Sequence, residues 1–317
     1  MRALLVANPH ATTTTAAGRD VIARAMAGEV KLDVLETERR GHAAEAAEQA
    51  ARDGIELVVA HGGDGTVNEV VNGVLAATGG RPGGALDGPL VGIVPGGSAN
   101  VFARALGIPV DPMAATARLL EAVERRTSTL VALGHAQPDG DTPGRWFTFN
   151  AGLGWDAEVV AAVERARERG HEATPLRYAA TAVHQYLGQR RTPRSMTIEI
   201  PGAASVHEIR AAFVSTTDTW TYLGPRAVRT NPGAVLGAGL GVFGLRDLGV
   251  ATIVTTLRRI LRPGGDPRGR NVLRQDSVAN LQVRAAEPIA LQLDGEHLGE
   301  HRLVQFRAVT GALRVVA

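Results

Sequence analysis

The 317-residue chain contains no cysteine, which excludes disulfide frameworks, thiolate zinc sites and cysteine nucleophiles. Aromatic residues make up only 4%, too few for a platform on which nucleic-acid bases stack. Lysine is almost absent: Lys31, in a Val-Lys-Leu-Asp-Val run, stands alone among 34 basic residues. A P-loop needs a lysine after its glycine loop, and a protein kinase needs one on its third strand. Lys31 sits in neither context, so both classes are excluded, and a Schiff-base lysine is disfavoured. The formal net charge of +2 marks no basic face, so nucleic acid is not an expected partner. No apolar run reaches the ~18–20 residues that span a bilayer. Met1-Arg2 leads straight into the strand-length run Ala3–Ala7, which is not the pattern of a secretory signal. The expectation is a cytoplasmic protein.

What is present is an ordinary globular composition, 44% apolar and 21% charged, long enough for one large or two medium domains. The first third alternates strand and helix signals. Strands are expected at Arg2–Ala7, Lys31–Glu36, Ile55–Ala60 and Leu90–Val94. Helices are expected at Ala16–Gly28, Gly41–Asp53, Val67–Ala76, from Ala99, and at Met113–Arg125. Near-continuous apolar strands alternating with helices imply a doubly wound parallel sheet. The character changes near Thr127. Strand signals then dominate: Ser128–Gly134, Arg145–Asn150, Ser195–Ile200, His207–Ser215, Ala234–Phe243, Val278–Val283, Ile289–Leu293, Leu303–Ala308 and Leu313–Val316. Helical patterns interrupt at Ala157–Arg169, Leu176–Gln189 and Asp247–Leu261. The fold class expected is an N-terminal α/β domain, residues 1–127, followed by a β-rich antiparallel domain, 128–304.

The strongest local signal is His61-Gly62-Gly63-Asp64-Gly65-Thr66-Val67-Asn68-Glu69, between a buried strand and a helix. Ligands of open α/β sheets bind at the carboxyl ends of strands. Glycines let backbone amides approach a phosphate, and a helix N-terminus favours negative charge. Pro95-Gly96-Gly97-Ser98-Ala99-Asn100 repeats the strand–loop–helix pattern. It is not a nucleophile elbow around Ser98, because Asn100 stands where the last glycine belongs. A rival dinucleotide pattern, Gly152-Leu153-Gly154-Trp155-Asp156-Ala157, has Glu172 at about the spacing of a ribose-binding acid, and Gly239–Gly244 is a further glycine match inside a strand-like run. Near the C-terminus, Leu291-Gln292-Leu293-Asp294-Gly295-Glu296 reads either as a strand closed by an Asp-Gly turn or as two carboxylates suited to base and metal work. His297 and His301 are four apart, but the turn-like residues between them do not suggest a helical metal pair.

Gly62–Glu69, Pro95–Arg104 and Leu293–Glu296, in this order and spacing, resemble the bacterial diacylglycerol kinase-like lipid kinase family, related to sphingosine and ceramide kinases. The resemblance covers nearly the whole chain. Asn8-Pro9 resembles the family's opening phosphate loop, and Thr37 with Gly41-His42-Ala43 its next nucleotide-binding segment. Asn150–Asp156 resembles the segment that opens the second domain, and Gly311–Arg314 the closing strand. The resemblance implies an α/β nucleotide domain and a β-sandwich lipid-substrate domain with the active site between them, the last residues, about 305–317, returning to the first domain. It implies phosphoryl transfer from ATP to a lipid alcohol such as diacylglycerol. By motif match Asn8, Thr37, Gly62, Gly63, Asp64, Gly65, Thr66, Asn68 and Ser98 hold ATP, and Asp64 also positions Mg²⁺. Asp294 takes the proton of the acceptor hydroxyl, with Glu296 supporting the base or metal. Three positions depart from the family pattern. Ala11-Thr12-Thr13-Thr14-Thr15 follows Asn-Pro, so hydroxyls take the place of a basic contact; Ser98 replaces a threonine; and the family's Asp-Gly at a structural Mg²⁺ reads Ala238-Gly239.

A lipid acceptor implies peripheral contact with an anionic membrane on its cytoplasmic side. Val250, Ile253, Val254, Leu257, Ile260 and Leu261 recur at helical spacing, with Arg258, Arg259 and Arg262 at the end. Such a helix either rests on the bilayer or packs on the β domain. Two other functions share the glycine motif: a soluble-substrate kinase of the NAD kinase type, and a nucleotide-binding module without catalysis. Residues after 130 show no Asn-Glu pair of the kind that would mark the first, and Asp294 argues against the second.

Overall fold

The computed structural model describes residues 1–79, 88–168, 194–262 and 264–316. The chain divides into two compact units, one of Met1–Leu133, Thr221–Ala227 and Val309–Ala317, the other of Gly134–Trp220 and Val228–Ala308.

In the first unit the elements run β1 (Arg2–Ala7), α1 (Ala16–Ala27), β2 (Lys31–Glu36), α2 (His42–Arg52), β3 (Leu57–Gly62), α3 (Asp64–Ala77), β4 (Leu90–Pro95), α4 (Val101–Ala105) and α5 (Pro112–Glu124). The strands pair in parallel in the order β4-β3-β1-β2. All six residues of β3 are buried, as a central strand covered on both faces requires. Helix starts follow local chemistry. Thr15 accepts the amide of Gly18 at α1, and Asp111 accepts that of Ala114 at α5, which carries Pro112 in its first turn. Leu5, Ile22, Met26, Leu57, Val59 and Leu119 form the core on one face of the sheet. On α3, a Cβ at Gly73 would lie 2.1 Å from the Ala44 carbonyl oxygen, so only glycine lets α3 pack this closely on α2.

The strands of the second unit pair antiparallel. Its elements are the end of β5 (Thr129–Pro138), β6 (Arg145–Phe147), β7 (Asn150–Gly154), α6 (Trp155–Glu168), β8 (Met196–Glu199), β9 (Val206–Ile209), β10 (Ala211–Ser215), β11 (Thr219–Leu223), β12 (Arg226–Arg229), β13 (Leu240–Leu245), α7 (Val250–Leu261), β14 (Val272–Val278), β15 (Asn280–Leu293) and β16 (Glu296–Val316). β11 and β12 pair with each other and extend into the first unit's segment Thr221–Ala227. The main sheet runs β14-β13-β10-β7-β15-β16. Alternate residues feed two clusters on its two faces. Leu153, Val214, Val242, Leu291 and Leu293 lie in one, and Phe213, Phe243, Leu245 and Ile260 in the other. The last residues of β16 belong to the first unit, where Val315 and Val316 pair in parallel with Val91 and Gly92 of β4.

Several element boundaries differ from the sequence pattern. Arg145–Asn150 is two strands, β6 and the start of β7. His207–Ser215 is also two, with Glu208 at φ 61 beside the break. Ala234–Gly239 is turn, with Gly237 and Gly239 at φ 94 and 122, so β13 begins only at Leu240. The four separate C-terminal strands are two long ones, β15 and β16, whose register shifts between Arg284 and Ile289. Ala286-Glu287-Pro288 made this shift look like a gap in sequence. β11, β12 and β14 carry no alternation strong enough to read. The Leu176–Gln189 helix and Glu172 lie outside the described residues. Gly152 and Gly154 sit inside β7, so the rival pattern forms no phosphate loop. A Cβ at Gly152 would meet Asp156 Oδ2 at 1.9 Å; this glycine makes room for a side chain.

Candidate active site

The carboxyl ends of β1, β2, β3 and β4 bring the N-terminal motif residues to one edge of the first sheet. The β3–α3 connection is a single residue: β3 runs through Gly62, Gly63 is the N-cap, and Asp64 opens α3. The first-turn amides of α3 have no carbonyl one turn back to bind, which is the arrangement that favours anions. The second glycine loop lies against the first, backbone on backbone. The Gly96 amide donates to the Gly62 carbonyl at 2.7 Å, and the Thr13 amide donates to the Gly96 carbonyl at 2.9 Å. A Cβ at Gly97 would stand 2.7 Å from Gly63 Cα, and one at Gly96 would stand 2.4 Å from Thr14 Oγ1. Any side chain would therefore fill the cradle. Asn100, in the left-handed region at φ 48, closes the second loop. Its Oδ1 accepts from the Gly97 amide at 3.0 Å, and its Nδ2 donates to the Gly97 carbonyl at 2.7 Å.

Asn8 and Thr66 meet directly, Nδ2 donating to Oγ1 at 3.0 Å, and the Asn8 amide continues β1 by donating to the His61 carbonyl. Thr37 follows β2 and is buried, its amide donating to the Ala7 carbonyl at 2.9 Å. Asp64 accepts the Phe102 amide on Oδ1 at 3.3 Å. Gly65 and Ser98 are exposed at the same edge. Asn68 lies a turn further into α3, 2% exposed, with its Oδ1 accepting from Asn72 Nδ2; it is not drawn to the loops by that bond. Two further residues lie in motifs the sequence singles out, but their contacts are seen only in the structure. Thr14 leaves its buried Oγ1 without a hydrogen-bond partner among the described residues, beside Gly96. Glu69 accepts the Gly41 and Ala43 amides at 3.0 and 3.1 Å, tying the start of α2 to α3.

A glycine cradle with an orphaned hydroxyl fits a phosphate chain. Mg²⁺ draws one or two carboxylates and otherwise phosphate and water oxygens, and Asp64 supplies a carboxylate here.

In the second unit Asp294 and Gly295 form the turn between β15 and β16, both in the left-handed region at φ 48 and 85. The turn reading was right, and it does not exclude chemistry. The Asp294 carboxylate is 7% exposed and is gripped by one short segment. Oδ2 accepts from the Thr148 amide at 2.6 Å and the Thr148 hydroxyl at 2.8 Å; Oδ1 accepts from the amides of Phe149 and Asn150 at 3.0 and 2.9 Å. Burial pushes the Asp294 carboxyl above its ordinary range, and these four donors pull it partly back. Gln292 braces the turn: its Oε1 accepts the Gly295 amide at 2.8 Å, while its Nε2 donates to Asn150 Oδ1 at 3.1 Å and Asp156 Oδ2 at 3.0 Å. Asp156 is pushed up to about 6 by burial, against the pull of Gln292. Glu296 pairs with Arg145. His297 and His301 lie on β16, and among the described residues no group of three or more His, Asp or Glu side chains is placed to hold a metal ion. No helix among them is long and apolar enough to cross a membrane.

The profile of the diacylglycerol kinase catalytic domain matches residues 2–132. A diacylglycerol kinase of Bacillus subtilis (strain 168) is 30% identical over 268 residues, 82% of this chain and 77% of the relative. The chain belongs to the diacylglycerol kinase family of lipid kinases. A diacylglycerol kinase of Staphylococcus haemolyticus (strain JCSC1435) is 44% identical over a shorter stretch of 79 residues, 25% of this chain and 22% of that one. The crystal structure of a diacylglycerol kinase from Bacillus anthracis str. Sterne has the same fold, with a TM-score of 0.66 at 18% identity over 99% of this chain and 96% of that one. Membership makes the chain a phosphotransferase of the lipid kinase class.

Proposed function

We propose that this member transfers the terminal phosphoryl group of ATP to the hydroxyl of diacylglycerol or a similar lipid alcohol, working peripherally at the cytoplasmic face of an anionic membrane. The observation that carries the reading is the Asp294 carboxylate. It is buried, more basic than an ordinary carboxylate, and fixed by donors from Thr148 to Asn150. A module that only held nucleotide would have no use for it.

The residues divide the work as follows. The amides at the start of α3 and in the Gly96–Gly97 loop hold phosphate oxygens, with Asn8, Thr14, Thr37, Thr66 and Ser98 adding polar contacts at the same edge. Mg²⁺, when bound with ATP through Asp64, supplies the charge neutralisation that phosphoryl transfer needs. Asp294 accepts the proton of the acceptor hydroxyl. Its four acceptor positions are all taken, three by backbone amides that cannot turn away. The Thr148 hydroxyl can rotate, so the proton enters at Oδ2 as that hydroxyl turns. The acceptor oxygen bonds to the γ-phosphorus, the bond to the β–γ bridging oxygen breaks, and ADP leaves.

The test is radiolabelled ATP offered with a panel of lipid alcohols and with NAD. Label is expected in the phosphate monoester of diacylglycerol or a related lipid. Label found only in NADP overturns the proposal in favour of a soluble-substrate kinase.

A further inference from the structure

Helix α7 of the second unit carries more apolar surface than its packing uses. Ile253, Ile260 and Leu261 join the cluster around Phe213, Phe243 and Leu245, which accounts for one face. A second line is left outside: Val250, Val254 and Leu257 are 61%, 39% and 45% exposed. At 3.6 residues per turn these three stack on one side of the helix, with Arg258 beside them and Arg262 at the C-cap. Arg258, Arg259 and Arg262 are exposed, and Arg259 also donates to the Arg268 carbonyl. From Val250 to Arg262 there is no acidic residue. Packing on the β domain therefore accounts for one face of this helix and leaves the Val250–Val254–Leu257 line over.

The sheet register relates the packed side of α7 to the Gln292–Asp156 pair. Gln292 stands opposite Gly152, Gly152 opposite Phe213, and Phe213 opposite Phe243. Residues directly opposite point to one side of a sheet, so the Gln292–Asp156 pair and the cluster under α7 share a face. Two strand spacings separate Gln292 from Phe213 and three separate it from Phe243, about 10 and 14 Å at ~4.8 Å each.

We propose that the Val250–Val254–Leu257 line of α7 is the surface that seats the protein on an anionic bilayer, its valines and leucine entering the headgroup region and Arg258, Arg259 and Arg262 meeting lipid phosphates. Charge complementarity selects this occupant: a stripe flanked by Arg258, on a segment whose charged residues are all arginine, suits anionic headgroups better than a self-complementary second copy. The proposal rests on the lipid-acceptor reading and says where that acceptor is met.

Sedimentation with phosphatidylcholine vesicles of rising phosphatidylglycerol content tests it on the full chain. Binding of the parent should rise with anionic fraction and fall with salt. The triple variant Arg258→Gln, Arg259→Gln, Arg262→Gln should lose affinity by about fivefold per arginine. The variant Val250→Ser, Val254→Ser, Leu257→Ser should lose binding at every lipid composition while keeping the parent's circular dichroism. Both should phosphorylate a short-chain, water-dispersed diacylglycerol at the parent's rate, and long-chain diacylglycerol in vesicles more slowly. Parental sedimentation by both variants overturns the proposal, as does a parent that binds no vesicle. A parent dimer in gel filtration that the serine variant breaks also overturns it, because a second copy then covers the stripe. Failure to phosphorylate even the dispersed lipid would instead strike the lipid-kinase reading, and sedimentation would still decide the surface.

Discussion

At the scale of single residues the phosphate edge of the first unit and the proposed base of the second use opposite materials. The phosphate edge is built from what is missing, since Gly62, Gly96 and Gly97 leave no room for a Cβ. Gly97→Ala sets a carbon 2.7 Å from Gly63 Cα, backbone that cannot swing aside. ATP affinity measured by calorimetry is expected to fall at least tenfold while the variant stays folded; unchanged affinity would put the nucleotide elsewhere. The base is built from donors. Asp294→Asn keeps the shape and loses the proton affinity, so turnover should drop by at least ~10²-fold, the lower range for general-base catalysis. Thr148→Val removes the one donor to Asp294 Oδ2 that rotates. A carboxylate with fewer donors is more basic, so the acid limb of the rate profile should move to higher pH. Thr148→Ser should restore it. A Thr148→Val profile that overlays the parent's would remove this hydroxyl from the proton path.

At the scale of elements, the first unit was legible because its signals are local. A strand buried on both faces, a glycine, and a capping hydroxyl lie within a few residues of one another, and β1, β2, α1 and α2 fall within a residue or two of where the pattern puts them. The second unit depends on pairing. Whether Val278–Val283 and Ile289–Leu293 are two strands or one is decided by β16 and β7 alongside, which no window of sequence contains. The site shows the same division. Asp294 announces itself in an Asp-Gly-Glu motif, whereas Thr148 and Gln292 are visible only once β7 and β15 are side by side. Glu69 is another such case: it sits in a glycine motif that suggests phosphate chemistry, yet its carboxylate caps α2 from a neighbouring helix. Glu69→Ala should cost about 1–2 kcal/mol, the range for a lost cap, read by denaturant titration. It should leave the Asp294-dependent pH profile unchanged, and a loss of activity larger than the loss of folded protein would give Glu69 a role at the phosphates.

At the scale of the whole molecule, two sets of acids, one half-buried and hydrogen-bonded and one buried, set how stability responds to pH. Asp139, Asp247 and Asp276 are held below their ordinary range. For Asp139 burial pushes the other way and is outweighed by the Arg302 and Leu303 amides and His301; Thr252 leads for Asp247 and Arg274 for Asp276. Their contribution is present above the unfolded pKa and is lost as acid protonates them. Asp156 and Asp294 act in the opposite sense, because burial raises both. With Asp156 pushed up to about 6 and an unfolded value of ~3.9, the native chain binds the proton more tightly across that interval. The contribution of Asp156 to stability therefore falls as pH rises from about 4 to about 6, and stays reduced above it. Two pH units at ~1.4 kcal/mol each make this about 3 kcal/mol. Asp156→Asn keeps an acceptor for Gln292 and removes the ionisation. The variant should match the parent near pH 4 and gain stability progressively to pH 6, with a constant advantage beyond. Melting curves taken at half-unit steps decide it: parallel profiles for parent and variant would mean that the Asp156 carboxyl ionises as it does in water, and that water reaches it more freely than the packing of Gly152 and Gln292 indicates.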